Sequence, residues 1–326
     1  MNASPFQCPQ RPTVRAVVKS IVSDNANQLT GITCKQGATT LGNLTYAYDA
    51  AGRKTTVGGT WARSGLPVAA PATGITLNAN NQVLTFGGTT LTYDLNGNLA
   101  TAQDASGTAT YSWDVRNRLT SLTSPGFAAT FAYDALGRRT GKTVQGVATN
   151  FVYDGLNPVQ EKNGSTVTAN LLTGLGIDQV FTRTDSVGTR ELFTDALGST
   201  IALANTSGAV QTSYTYEAFG GTTQSGSAST NSYKYTGRED DGTGLYYYRA
   251  RYYSPRLQRF VSEDPIGFLG GDANLYAYVK NSPLVFIDPY GLVEIQIGQK
   301  LIQVPYIPEP AQHPDSRVRP RTDHSC

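Results

Sequence analysis

Apolar and polar positions alternate along this chain in short runs, each of which breaks at an acid. The runs read "LTYDLNGNLA" at 91, "YSWDVRNRLT" at 111, "FAYDALGRRT" at 131 and "FVYDGLNPVQ" at 151. A period of two marks a half-buried strand, and aromatic residues occupy many of its apolar positions here. Asp94, Asp114, Asp134 and Asp154 are spaced by 20 residues. An earlier unit, "YAYDAAGRKT", places Asp49 45 residues before Asp94, so an insertion of about five residues separates it from the register of two periods. "ELFTDALGST" and "YTYEAFGGTT" are degenerate later copies.

At ~3.3 Å per residue, one repeat makes an out-and-back hairpin with strands of about six residues plus turns. A hairpin is marginal alone, so neighbouring units must pair into a continuous sheet. The pattern predicts an all-β fold, an antiparallel β-hairpin repeat strip. Asp49, Asp94, Asp114, Asp134 and Asp154 then have a structural role, accepting backbone N–H bonds in the turns.

Composition agrees: Gly (34) and Tyr (19) against a single Met describe short strands and many turns rather than amphipathic helices. With 26 Lys plus Arg against 24 Asp plus Glu and no basic run, nucleic acid is not an expected partner. No apolar run approaches the ~18 residues of a membrane span, and the N-terminus lacks the apolar core of a signal peptide. Synthesis in the cytoplasm is expected, with any export left to a dedicated machine. Cys8, Cys34 and Cys326 are odd in number and far apart, which fits neither a disulfide framework nor a zinc site. No cofactor and no metal are expected.

Two further units, "SEDPIGFLGG" and "FIDPYGLVEI", carry Asp-Pro-x-Gly. Asp followed by Pro265 or Pro289 and then by Gly267 or Gly291 is the preferred chemistry of a type I turn, and two turns are one sufficient reading.

The Tyr-x-Tyr-Asp-x-x-Gly-Arg units resemble YD repeats. The stretch "GLYYYRARYYSPRLQRFVSEDPIGFLGGDANLYAYVKNSPLVFIDPYGL" (244–292) closely resembles the repeat-associated core of bacterial Rhs proteins and the related C subunits of Tc toxins. Two positions depart from that pattern: Ser254-Pro255 stands where the family usually writes Asp-Pro, and Gln258 where it writes Gly. The resemblance implies a β-strip spiralling into a shell around a toxic C-terminal segment, a polymorphic toxin exported in bacterial competition. It also implies a core that plugs the shell and cuts the chain after D-P-x-G-L. Carried over, the cut falls between Leu292 and Val293, with Asp264, Asp288 and Arg251 as the reacting set. The expected organisation is an N-terminal segment with an incomplete repeat (1–40), the strip (41–243), the core (244–292) and a short variable tail (293–326).

Two carboxylates held close cannot both ionise easily, so one stays protonated near neutral pH while the other can act as base on a water. Arg251 would hold one carboxylate by a bidentate bond and set which Asp is the base. The other reading is that Arg249 and Arg251, alternating with Tyr246, Tyr248 and Tyr252, stack on aromatics or pair on a solvated face. Glu263 and Asp272 read as surface charges. Ser199 and Ser254 have no base, because His313 and His324 lie beyond the implied cut, and the terminal "DHSC" offers too few ligands for a metal. Asp-Pro bonds are acid-labile, a rival route to a break after either Asp.

A shell around a ~100-residue cargo needs a circumference of about 160 to 190 Å, whereas about 24 strands at ~4.8 Å span about 115 Å. Upstream strands or another repeat chain are therefore expected partners, with a C-terminal cargo and a secretion-machine component. The tail alternates like a strand in "VEIQIGQKLIQVPYI", then becomes too Pro-rich for a folded domain. Two alternatives remain open: a non-catalytic adhesion or carbohydrate-binding surface drawing on exposed Tyr, and an inactive orphan fragment.

Overall fold

In the computed structural model, which describes residues 17–62 and 74–296, the joints between strands are built by Asp. Oδ1 of Asp114 accepts the amides of Arg116 at 2.9 Å and Arg118 at 3.0 Å, while the Asp114 amide donates to the Arg118 carbonyl. Asp49 and Asp94 hold the amides two and four residues further on in the same way. Asp134 holds that of Arg138 at 2.9 Å. Three residues after the Asp the backbone turns left-handed, at φ 57° for Asn117 and 83° for Gly137, where Gly and Asn carry the least steric cost. The aromatic before each Asp opposes the residue five after it with a register shift, as in Tyr133 and Arg139, so every such turn also carries a bulge. Asp154 keeps the spacing but makes a different turn: it pairs directly with Asn157 around Gly155 and Leu156.

The same residues bind one repeat to the next. Trp113, Tyr133 and Tyr153 donate to the carbonyls of Leu99, Leu119 and Arg139 at 2.8, 2.7 and 2.9 Å. Arg118 and Arg138 pair with Asp114 and Asp134 and lie 4.8 and 5.5 Å over the rings of Tyr133 and Tyr153 in the following unit. In Tyr-Asp-x-x-Gly-Arg, then, Asp shapes the turn while Tyr and Arg tie it to its neighbours.

Strands β5 to β20, from Thr76–Leu77 to Thr222–Gly226, form one 16-stranded antiparallel sheet in strict chain order, with β5 and β20 as its edges. At ~4.8 Å per strand it spans about 75 Å and does not close into a barrel. The strip is not continuous from residue 41. Strands β1 (Val17–Ser23), β2 (Leu29–Gln36), β3 (Thr39–Tyr48) and β4 (Lys54–Gly58) form a separate 4-stranded sheet. Ile32, Cys34, Leu44 and Tyr46 of that sheet pack on Phe193 of β17 (Gly188–Thr194) and Ile201 of β18 (Thr200–Asn205). It therefore stacks on the face of the long sheet that carries Phe193 and Ala202 instead of extending its edge. The break falls where Asp49 and Asp94 lose the repeat register.

The core segment covers the opposite face of the long sheet, the one that carries Phe131 and Leu192. Its strands β21 (Glu239–Asp240), β22 (Tyr246–Tyr248), β23 (Arg251–Ser254) and β24 (Arg259–Phe260) form a small sheet. Leu245, Tyr247, Tyr252 and Val261 pack on Leu91, Leu99, Leu119, Leu122 and Phe131 of the strip. Tyr247, Tyr248, Tyr252, Tyr253, Tyr276 and Tyr278 are at most 2% exposed. These rings form the interior of the plug, so a carbohydrate surface cannot draw on them.

A fully buried ionic cluster joins strip and plug. The Arg139 guanidinium, fully buried, donates to Glu239 at 2.5 Å and to both oxygens of Asp241, and lies 4.0 Å over the Tyr247 ring. Removing it leaves two buried carboxylates with Lys142 as the remaining cation on Asp241. Arg139→Ala should therefore cost about 3 to 5 kcal/mol in urea unfolding, and a loss below about 1 kcal/mol would contradict this account of the interface.

Candidate active site

Both Asp-Pro-x-Gly units are turns, and the plug folds them against each other. Asp264 follows β24; its Oδ1 accepts the Ile266 amide at 3.0 Å and its carbonyl accepts that of Gly267. Asp288 follows β25 (Phe286–Ile287); its Oδ1 accepts the Leu292 amide at 3.0 Å. The cap on Asp288 thus belongs to the residue at the expected cut. Pro265 is exposed and Pro289 buried. Gly291, at φ 69°, has no room for a side chain, since a Cβ would lie 2.4 Å from the Tyr248 carbonyl.

Arg251 lies between the carboxylates. Its Nη2 is 3.0 Å from Asp264 Oδ2 and 3.5 Å from Asp288 Oδ2. The expected bidentate hold on one carboxylate is not the arrangement found. Nε donates to the Gly291 carbonyl at 2.6 Å and Nη1 to that of Leu275 at 3.1 Å, so one nitrogen is shared by two acids while the others fix backbone. The guanidinium lies 3.7 Å over the Phe260 ring, which holds it flat without adding a charge. Arg249 is not on the strand with Arg251: it occupies a left-handed turn at φ 61° between β22 and β23.

The peptide at Leu292 meets this pair through a gap kept by Gly270. A Cβ on Gly270 would lie 2.6 Å from Asp264 Oδ2 and 3.2 Å from the Leu292 carbonyl oxygen. Beside it is a cavity of about 20 Å³ lined by Arg251, Asp264, Asp272, Asp288 and Leu292, enough for one water. Beyond Leu292 and Val293 the chain returns to pair Ile295–Gln296 (β26) with β25. The rest of the tail, with His313, His324 and Cys326, lies outside the described residues, as does Cys8.

Burial pushes the Asp288 carboxyl up to about 6, with Arg251 opposing the shift and Asp264 adding to it. Burial also raises Asp264 against the pull of Arg251. The neighbouring acids differ from the reading as surface charges. Glu263 accepts the Tyr276 hydroxyl at 3.3 Å, and Asp272 borders the cavity with Oδ1 on the Asn274 amide; neither joins the Arg251 pair. Ser199 is buried, and its Oγ accepts the Thr236 amide. The two departures from the core pattern have local explanations. Ser254 Oγ accepts the Leu257 amide in place of a carboxylate, and Gln258 adopts φ 58°, the region a Gly enters freely. Sequence reasoning missed Gly270 and Phe260. The adjacent Gly pair in "GFLGG" and the aromatic beside Arg259 were the available signals.

An open strip of Tyr-Asp hairpins laid over a Tyr-rich plug defines a YD-shell protein. The sequence profile of the Teneurin YD-shell matches residues 23–284, and the chain belongs to that family. Toxin subunit YenC1 of Yersinia entomophaga is 51% identical over 65 residues, 20% of this chain and 7% of its own. The toxin protein Tse5 of Pseudomonas aeruginosa is 52% identical over 54 residues, 17% of this chain and 4% of its own. The tRNA nuclease WapA of Bacillus subtilis is 40% identical over 104 residues, 30% and 4% respectively. The chain thus matches a small part of the length of these relatives. Crystal structures of TcdB2-TccC3-Cdc42 and of TcdB2-TccC3 share the fold at TM-scores of 0.61 and 0.58, with 20% and 19% identity over 86% of this chain and 18% and 19% of theirs.

A carboxyl at about 6 in the fold against 3.8 unfolded takes up a proton on folding between those values. Its contribution to stability is full below the lower value and is lost as pH rises through the upper one, by about 3 kcal/mol. Asp288→Asn has no such proton to lose. Relative to the parent, the variant should gain stability between about pH 4 and 7 in denaturant titrations; a difference that does not change with pH would contradict the assigned shift.

Proposed function

We propose that this chain is the plug end of a toxin-associated YD-shell and that it cuts itself once, between Leu292 and Val293. The observation that carries this reading is the placement of two raised carboxyls on one guanidinium, with the Leu292 amide bound to one and its carbonyl beside the other. In the reaction a water in the small cavity attacks the Leu292 carbonyl carbon. Asp264, nearer Arg251, takes the water's proton as base. Asp288, protonated, gives its proton to the Val293 nitrogen as the C–N bond breaks. The products are a Leu292 carboxylate and a Val293 amine. Intramolecular delivery supplies the peptide at high effective concentration, so the chain turns over once.

The open edges β5 and β20 favour completion of the shell by upstream strands or by another repeat chain. The segment from Val293 onward is the cargo side of the cut. In this reading the protein is made in the cytoplasm and exported by a dedicated machine as an effector in bacterial competition.

Intact mass and terminal sequencing after expression test the reading. The expected fragment begins at Val293, and the rate falls as pH rises above about 6, where Asp288 loses its proton, by about tenfold per unit. Asp264→Asn and Asp288→Asn should each slow cutting by about 100-fold or more, and Gly270→Ala, by displacing the Asp264 carboxylate, by about 100-fold. A new terminus at Pro289, or unchanged cutting in the Asp264→Asn Asp288→Asn double variant, would mark acid breakage of the Asp-Pro bond instead.

A further inference from the structure

The turn that carries Asp288 is held by three successive residues of the hairpin between β22 and β23. Arg249 Nη1 donates to the Pro289 carbonyl, the Ala250 amide to that of Tyr290 at 3.1 Å, and Arg251 Nε to that of Gly291 at 2.6 Å. Three consecutive carbonyls are therefore read in register by three consecutive residues. Two of these bonds start and end within the plug. The third depends on the strip, because Arg249 is itself fixed from there: its Nη2 donates to Asp178 Oδ1 at 2.7 Å and to the Leu156 carbonyl at 3.3 Å, and its Nη1 to Asp178 Oδ2 at 3.1 Å.

Asp178 is built for this position. It lies in the loop between β15 (Thr166–Thr173) and β16 (Val180–Asp185), in left-handed backbone at φ 62°, a conformation that a non-Gly residue adopts only when its surroundings fix it. Its amide donates to Asn157 Oδ1 at 2.9 Å, which anchors it to the neighbouring strand. Its Oδ1 also accepts Arg238 Nη1 at 2.5 Å, and Arg238 in turn donates to the Tyr247 carbonyl at the start of the gripping hairpin. Burial raises the Asp178 carboxyl, but Arg238 and Arg249 together hold it below its ordinary value, so it is charged wherever the cut proceeds. The repeat turns use Asp to hold their own backbone, whereas this one faces the plug.

We infer that Asp178 is a positioning residue through which the strip, by way of Arg249, sets the 288–292 turn in the place where the chain can be cut. The inference rests on the proposed self-cleavage, to which it adds a condition. The carboxylate pair and Arg251 all belong to the plug, yet the plug reaches its cutting geometry only when the strip is folded over it. Cutting then reports completed assembly, because a plug separated from its strip lacks the anion that orients Arg249.

Two readouts separate this inference from the reading it rests on. In the full chain carrying Asp264→Asn, which removes cutting in that reading, hydrogen exchange of the peptide spanning 288–292 is compared with and without Asp178→Asn. Exchange there should rise about tenfold, with the strands of the strip unchanged. In the otherwise unaltered chain, Asp178→Asn should slow cutting by about 100-fold while the pH midpoint near 6 stays in place, since the reacting carboxyls are untouched. Arg249→Lys keeps Arg238 on Asp178 and serves if Asp178→Asn does not fold; a Lys cannot span Asp178 and Pro289 with one planar fork, so it should give the same pair of results. Unchanged exchange at 288–292 in both variants would overturn the inference even if the parent cuts. Raised exchange with a parent that never cuts would support the coupling and overturn the self-cleavage reading.

Discussion

A strip of hairpins has one apolar face and no second layer of its own, and the plug with its candidate site follows from the need to cover that face. Leu91, Leu99, Leu119 and Phe131 would face water if the sheet stood alone. The Tyr-rich plug covers them, while the N-terminal four-stranded sheet covers Phe193 and Ala202 on the opposite face of β17 and β18. Burial on this scale also carries charges inward, and the Arg139 guanidinium shows how they are accommodated, with carboxylates on its nitrogens and a ring against its face. Strip and plug therefore share one buried interface. The proposed cut, housed in the plug, would inherit the strip's order.

The candidate site is made from the same turn chemistry as the repeats. In the strip, one Asp oxygen accepts amides two and four residues on and the other pairs with the Arg of the same turn. In the plug, Asp264 holds the amide two residues on and Asp288 the amide four residues on, so each carboxylate is already fixed by its own turn before any partner arrives. Arg251 and the Phe260 ring then bring the two turns to one point, and Gly270 leaves the space between carboxylate and peptide empty. In the proposed cut, what turns these structural turns into reacting groups is burial, which raises both carboxyls.

Much of this was legible in the sequence because it is local. The alternating runs and the Asp period of 20 residues gave an open antiparallel strip; the D-P-x-G pairs by themselves read as turns, and it was the resemblance to the repeat-associated core that singled out Asp264, Asp288 and Arg251. What sequence could not supply was non-local. Asp154 sits in perfect register yet makes a tighter turn: Asn157 pairs back to it and Gly155, one residue on, takes the left-handed position at φ 58°. The sheet formed by β1 to β4 follows strand rules that say nothing of whether it extends an edge or stacks on a face. The sharing of one Arg251 nitrogen between two acids depends on the Gly291 and Leu275 carbonyls taking the others. Asp178 carries no motif at all; only the fold brings it to Arg249.

The central claim is that a water held between two carboxylates hydrolyses the Leu292 peptide. Folding and incubating the chain in water enriched in oxygen-18, then reading each fragment by mass spectrometry, tests this most directly. Attack by water predicts one heavy oxygen in the new Leu292 carboxyl and none in the fragment that begins at Val293. An unlabelled Leu292 terminus, heavy oxygen in a fragment ending at Asp264 or Asp288, or a chain that stays whole at mildly acidic pH would contradict it.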